Sequence, residues 1–276
     1  MDTQDPAIDH YSRGDIRERI FAALENAGKN PERLLPEDLA GADEFHIGGI
    51  EAARELARGA GISGSSYVLD VGSGIGGPAR LFAHEFGATV HGVDLTPEFV
   101  EVAGVLTART GLSAEVTFSE GNALDLKFEP TTFDVATMLH VGMHIQDKAA
   151  LFSGLARLLK PGGILAVYDI MRMNGAGLTY PLPWAAVEEN SFVATPMDYS
   201  TAMEDAGFEV DSERNRHDAG IAFLEEAQAR AAAGDAPAVG LALVLGPEIG
   251  PRMRNLLTAF RAGALAPVEI YARKTN

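Results

Sequence analysis

Asp70, the glycines at Gly72, Gly74, Gly76 and Gly77, the acid Asp94, and the histidines His140 and His144 are the residues whose types and spacing could do chemistry. Gly72, Gly74 and Gly77 fit a G-x-G-x-x-G pattern, which brings bare backbone against a ligand where a Cβ would collide. Many nucleotide ligands use that pattern. Asp70 narrows the choice, because a carboxylate accepts hydrogen bonds from a ligand ammonium and repels a pyrophosphate. The loop, with Ser73 inside it, therefore suits a zwitterionic amino-acid group better than a diphosphate. Asp94, followed by Leu95, stands one strand–helix–strand step further on, where a doubly wound fold places an acid on ribose hydroxyls. A histidine titrates near neutrality, so His140 or His144 can take a proton from an amine or hydroxyl acceptor. The plainer reading has His140 packing along the ligand and His144 opening the next helix. No carboxylate stands at helical spacing to complete a metal set with these two histidines, so no metal is expected.

The elements that must position these residues alternate in type. Tyr67 to Val71 is a short β-branched apolar run of a buried parallel strand, and Pro78 opens a helical pattern through Ala79, Leu81, Phe82 and Phe86. Ala88 to Val93 reads as the second strand, ending at Asp94. Phe118 to Leu126 reads as a third strand running into a polar turn with Asn122 and Ala123, and Phe133 to His140 as a fourth. Leu158 to Gly163 is a helix end and tight turn before a strand over Ile164 to Tyr168. Strands alternating with helices predict an α/β, doubly wound sheet of mostly parallel strands.

Five motifs in this order resemble the class I S-adenosylmethionine-dependent methyltransferases, from roughly Phe45 to Val210. The resemblance implies a seven-stranded Rossmann-like sheet with an antiparallel last strand, an N-terminal helical extension or lid over 1–60, and a domain over 61–276 with cap insertions around 171–197 and 218–263. It implies S-adenosylmethionine as cofactor, held by Asp70, Gly72, Ser73, Gly74, Gly76, Asp94, Leu95, Asn122, Ala123 and His140. Such enzymes usually carry Gly-Asp-Ala in the third turn, and the asparagine of Gly121-Asn122-Ala123 keeps an acceptor oxygen for adenine. Phe45-His46-x-Gly48-Gly49 resembles a segment of the bacterial small-molecule group related to sarcosine and dimethylglycine N-methyltransferases, which makes His46 a ligand contact; the alternative is a residue that caps the following helix. In that group the connection after the fifth strand walls the acceptor site, so Met171, Tyr180, Trp184 and Phe192 are pocket candidates, with Tyr11 on the lid. The expected reaction is direct displacement of a methyl group onto nitrogen or oxygen of a small molecule. A non-catalytic cofactor-binding protein and a nicotinamide oxidoreductase sharing the glycine loop are the alternatives.

Composition bounds these readings. The chain has 276 residues, no cysteine, and a formal charge of −17, which excludes disulfides and thiolate chemistry and sets a field that repels nucleic acid. No apolar run is long enough to span a bilayer and the first residues are acidic, so a cytoplasmic monomer or homodimer with no membrane or nucleic-acid partner is expected.

Overall fold

The computed structural model describes residues 14–235 and 237–275, so Tyr11 lies outside the described residues. Three helices, α1 (Ile16–Asn26), α2 (Pro36–Asp43) and α3 (Gly49–Gly59), precede the sheet. Then β1 (Tyr67–Val71), α4 (Gly77–Phe86), β2 (Thr89–Asp94), α5 (Pro97–Arg109), β3 (Val116–Glu120), β4 (Phe133–Leu139), α6 (Lys148–Leu158) and β5 (Leu159–Arg172) alternate. The chain closes with α7 (Pro196–Asp205), β6 (Phe208–Asn215), α8 (His217–Ala232), the single turn α9 (Ala242–Leu245), α10 (Ile249–Arg261) and β7 (Leu265–Lys274). The seven strands lie in the order β3-β2-β1-β4-β5-β7-β6, and β7 alone is antiparallel to its neighbours. The order reverses between β1 and β4, and a crevice opens outside the carboxyl ends of the strands at such a point.

Burial follows from strand composition. Val68, Leu69 and Val71 of β1 and Val135, Ala136 and Met138 of β4 are almost wholly buried because helices cover both sheet faces. Ala53, Leu56 and Phe82 from α3 and α4 fill one face, and Leu151, Phe152 and Leu155 of α6 fill the other. The sequence pattern starts the helix after β4 too early: Gly142–His144 is an isolated 3-10 turn, and α6 begins at Lys148 because Asp147 caps it, accepting from the Ala150 N–H at 2.8 Å.

The N-terminal helices form a layer of their own. Ile16, Ile20, Leu24 and Leu39 pack with Phe99, Val102 and Leu106 of α5 and with Val244 of α9, and Glu98 accepts the Ile16 N–H at 3.1 Å. That layer is tied to the loop after β1 by a wholly buried ion pair: Arg80 of α4 donates to Asp43 at 2.7 Å, to the Ile75 carbonyl at 2.8 Å and to Thr107 at 3.1 Å. Breaking one side of such a pair strands a buried charge, while replacing both sides with apolar groups need not. Arg80→Met should lower unfolding stability by roughly 3–5 kcal/mol, read from urea denaturation, and Arg80→Met with Asp43→Leu should recover much of that loss.

Candidate active site

The loops following β1, β2, β3 and β4 converge on one cavity of about 730 Å³. Asp70, Gly72, Ser73 and Gly74 line it from β1, Asp94, Leu95 and Thr96 from β2, and Asn122 and Ala123 from β3. His140, Met143 and His144 line it after β4, and Phe45 and His46 close it from the N-terminal side. The connection after β5 contributes Trp184 and Phe192, and α10 contributes Met253 and Leu256.

The loop after β1 is held from behind. The N–H groups of Gly72 and Ser73 both donate to the Val93 carbonyl, at 2.7 and 3.0 Å, and that of Gly76 donates to Ser73. Asp94 accepts from the Gly74 N–H at 2.8 Å and the Thr96 N–H at 2.9 Å, so this acid fixes the bend as well as facing the cavity. These donors are therefore committed within the protein, contrary to the expectation that the loop backbone as a whole would hold the ligand. The glycine pattern also has a second cause. A Cβ at Gly76 would stand 2.6 Å from the Phe118 ring, and one at Gly77 would collide with the Asp43 carbonyl. Gly76 does not line the cavity; it is needed for protein packing and for its φ of +89°.

Asp70 and Ser73 each present to this bend a polar atom without a hydrogen bond. Asp70 is 1% exposed; Thr137 of β4 donates to its Oδ1 at 2.8 Å, while Oδ2 is buried without a hydrogen bond. Burial pushes this carboxyl up to about 7, with the Thr137 hydrogen bond opposing and the Asp94 charge adding. The Ser73 hydroxyl is likewise buried and unpartnered. A buried acceptor and a hydroxyl left open on the same bend fit the ammonium and carboxylate of an amino-acid group. Asn122 is exposed, and its Oδ1 accepts the Leu124 N–H at 2.9 Å, which shapes the turn.

The histidines occupy the opposite wall. His140 ends β4 with φ +56°, and its N–H donates to the Tyr168 carbonyl at 2.7 Å. Its Nε2 is buried without a partner; burial, then the charges of His46 and His144, hold its pKa well below the usual imidazole value. His46 donates from Nε2 to the Gly49 carbonyl at 3.0 Å, and burial lowers it to about 4. His46 thus both lines the cavity and fastens the first turn of α3, whereas Gly48 and Gly49 stay out of the cavity. Asp169 positions the whole segment after β4. Its carboxylate accepts from the N–H groups of Val141 at 2.7 Å and Gly142 at 2.9 Å and from the Tyr199 hydroxyl at 2.9 Å.

Two acceptor-pocket candidates are placed elsewhere. Met171 is wholly buried in the main core among residues of β5 and α7, because side chains on successive positions of a strand alternate faces. Tyr180 packs against the apolar cluster under the connection without lining the cavity. Trp184 and Phe192 do line it, and Trp184 is fixed by donating to Ser191 at 2.9 Å. Sequence reasoning missed Thr137, Phe45, Phe99, Met253 and Leu256. Thr137 becomes legible only through the pairing of β4 with β1, which sets it beside Asp70; Phe45 and Phe99 meet at 5.6 Å between ring centres. Among the described residues, no group of three or more potential ligands could hold a metal ion, and no helix is long and apolar enough to cross a membrane.

Comparison with known proteins agrees with this architecture. Residues 69–167 match the methyltransferase domain family. Erythromycin 3''-O-methyltransferase of Saccharopolyspora erythraea is 39% identical over 125 residues, which is 45% of this chain and 41% of that protein. The chain spans from 30% to 42% of the length of the curated relatives it matches. Phosphoethanolamine N-methyltransferase 2 of Haemonchus contortus, solved with phosphomonomethylethanolamine and S-adenosylhomocysteine, superposes with a TM-score of 0.75 at 23% identity over 98% of this chain and 60% of that one. A candidate sarcosine dimethylglycine methyltransferase from Galdieria sulphuraria gives 0.65 at 20% identity, over 82% and 84%. The chain carries a methyltransferase domain and has the class I S-adenosylmethionine-dependent methyltransferase fold. S-adenosylmethionine is the cofactor of that class, and its zwitterionic tail fits the two unpartnered groups at Asp70 and Ser73.

An ammonium ligand would be held by the ionised form of Asp70, whose pKa is raised to about 7. Below that pH the carboxyl must first lose its proton, so affinity for S-adenosylmethionine should fall by roughly tenfold per pH unit on the acid side. Calorimetric titration across that range checks this, and Asp70→Asn should bind weakly with a flat profile.

Proposed function

We propose that this chain transfers the methyl group of S-adenosylmethionine to nitrogen or oxygen of a small-molecule acceptor by direct displacement. The observation that carries the reading is one cavity with the orphaned Asp70 and Ser73 groups on one side and His140, His144, Trp184 and Phe192 on the other. The bound cofactor would supply an electrophilic methyl group on a charged sulfur. Asp70 and Ser73 would hold its amino-acid tail, Asp94 and Leu95 the ribose side, and Asn122 with Ala123 the adenine side. Trp184, Phe192 and Met143 would exclude water and align the acceptor, and alignment alone supplies much of a displacement rate. His144 would receive the proton that leaves the acceptor, whereas His140, held uncharged by burial, would orient the acceptor.

Incubating the protein with methyl-labelled cofactor and a cell metabolite extract, followed by mass spectrometry, tests the reading; label should appear in a small molecule. Asp94→Ala should reduce cofactor binding below calorimetric detection, and unchanged affinity would refute the nucleoside role. His144→Ala should lower kcat by about 100-fold while leaving cofactor affinity nearly unchanged; equal losses in both would count against a proton-accepting role.

A further inference from the structure

The acceptor side of the cavity differs in charge from the cofactor side. Its walls are His140, Met143, His144, Ile145 and Gln146 after β4, Pro183 to Ala186, Asn190 and Phe192 in the connection, and Leu245, Met253 and Leu256. Among the described residues, no lysine or arginine lines the cavity. Two cations on the elements behind this wall, Lys148 and Arg252, donate to main-chain carbonyls. Lys148 donates to the carbonyls of Ile145 and Phe192, and Arg252 donates from Nη1 to that of Leu182 at 2.9 Å. The carboxylates that line the cavity, Asp43, Asp70 and Asp94, belong to the cofactor side, while Glu188 and Glu189 stand exposed just outside Asn190.

Among the described residues, an anion entering this half would lose its hydration shell and meet no lysine or arginine on the wall, in a chain with a formal charge of −17. Phosphate and carboxylate recognition uses arginine or lysine, a helix N-terminus aimed at the ligand, or a hydroxyl such as the one Ser73 leaves open on the cofactor side, which the far half does not supply. Trp184, Phe192, Met253 and Leu256 offer an apolar body contact instead, and His144, Gln146 and Asn190 offer a few polar contacts. Such a balance of apolar walls with few polar groups is that of a site for an uncharged molecule.

Building on the methyltransferase reading, we infer that the acceptor is an uncharged, largely apolar small molecule, and that phosphate- and carboxylate-bearing acceptors of the phosphobase and N-methylglycine kind are excluded. Selectivity against anions arises from the missing counter-charge on this wall.

Trp184 is the single tryptophan of the chain and lies on this wall, so once the cofactor half is saturated its fluorescence reports occupancy of the acceptor half. The full chain is first saturated with S-adenosylhomocysteine, followed by calorimetry, and then titrated with 4-propylphenol, with 3-(4-hydroxyphenyl)propanoate of matched shape, and with phosphoethanolamine. The neutral phenol should change the fluorescence saturably and bind about 100-fold more tightly than either anion. Equal or tighter binding of an anion overturns the inference, as does failure of the phenol to bind the cofactor-loaded protein. Failure of S-adenosylhomocysteine itself to bind would instead overturn the methyltransferase reading, so the two failures are distinguishable. Asn190→Arg, with cofactor affinity retained as the check on folding, should raise affinity for the propanoate by roughly tenfold; no gain in a variant that still binds the cofactor counts against the charge argument.

Discussion

The bend after β1 is the constraint on which the rest of the structure depends. It is pinned by Val93 and Asp94 of β2, pressed by Phe118 of β3, and reached through Arg80 by the last residue of α2. All but the apolar contact of Phe118 spend backbone or side-chain polarity inside the protein. What is left unspent includes Asp70 Oδ2 and the Ser73 hydroxyl, with Asp43 Oδ1 and Arg80 Nε behind them. A carboxylate buried without a full set of partners is costly to ionise, and a ligand ammonium is a group that relieves the cost.

The same economy shapes the far wall. Asp169 holds the segment carrying His140, Met143 and His144 by two main-chain N–H groups, and Tyr199 completes its partners from α7. Burial raises Asp169 to about 7 despite these donors. A rigid strand end thus carries the histidines, while α10 and the connection after β5 form an apolar roof; Arg252 and Asn255 bind the carbonyls of Leu182 and Pro181 at 2.9 Å and hold the two together. The loops of the sheet and the segments of the roof are separate parts of the chain, so one half of the cavity can vary while the other keeps its geometry.

The N-terminal region illustrates how a local signal can carry two meanings. Asp43 to Gly49 reads in sequence as a ligand-facing segment, and part of it is: Phe45 and His46 line the cavity. Yet Asp43 also closes an ion pair with Arg80, Glu44 is buried beside it with its carboxyl pushed well above the usual range by burial, and His46 spends its Nε2 proton on Gly49. Packing and ligand contact are superimposed in one short segment, and a linear sequence does not separate them.

By itself the sequence determined the alternation of strands and helices, the bend between Asp70 and Pro78, and the acid at the end of β2. Each is a local pattern of apolar periodicity, glycine and proline, readable without knowing what lies across the fold. Only tertiary structure decided that Met171 and Tyr180 stay out of the cavity while Phe45, Phe99, Thr137, Met253 and Leu256 face or support it. It alone showed that Gly76 and Gly77 answer to Phe118 and Asp43. The reason is physical: which face a side chain turns, and which charge stands opposite it, is set by neighbours far apart along the chain, and local preferences carry no record of them.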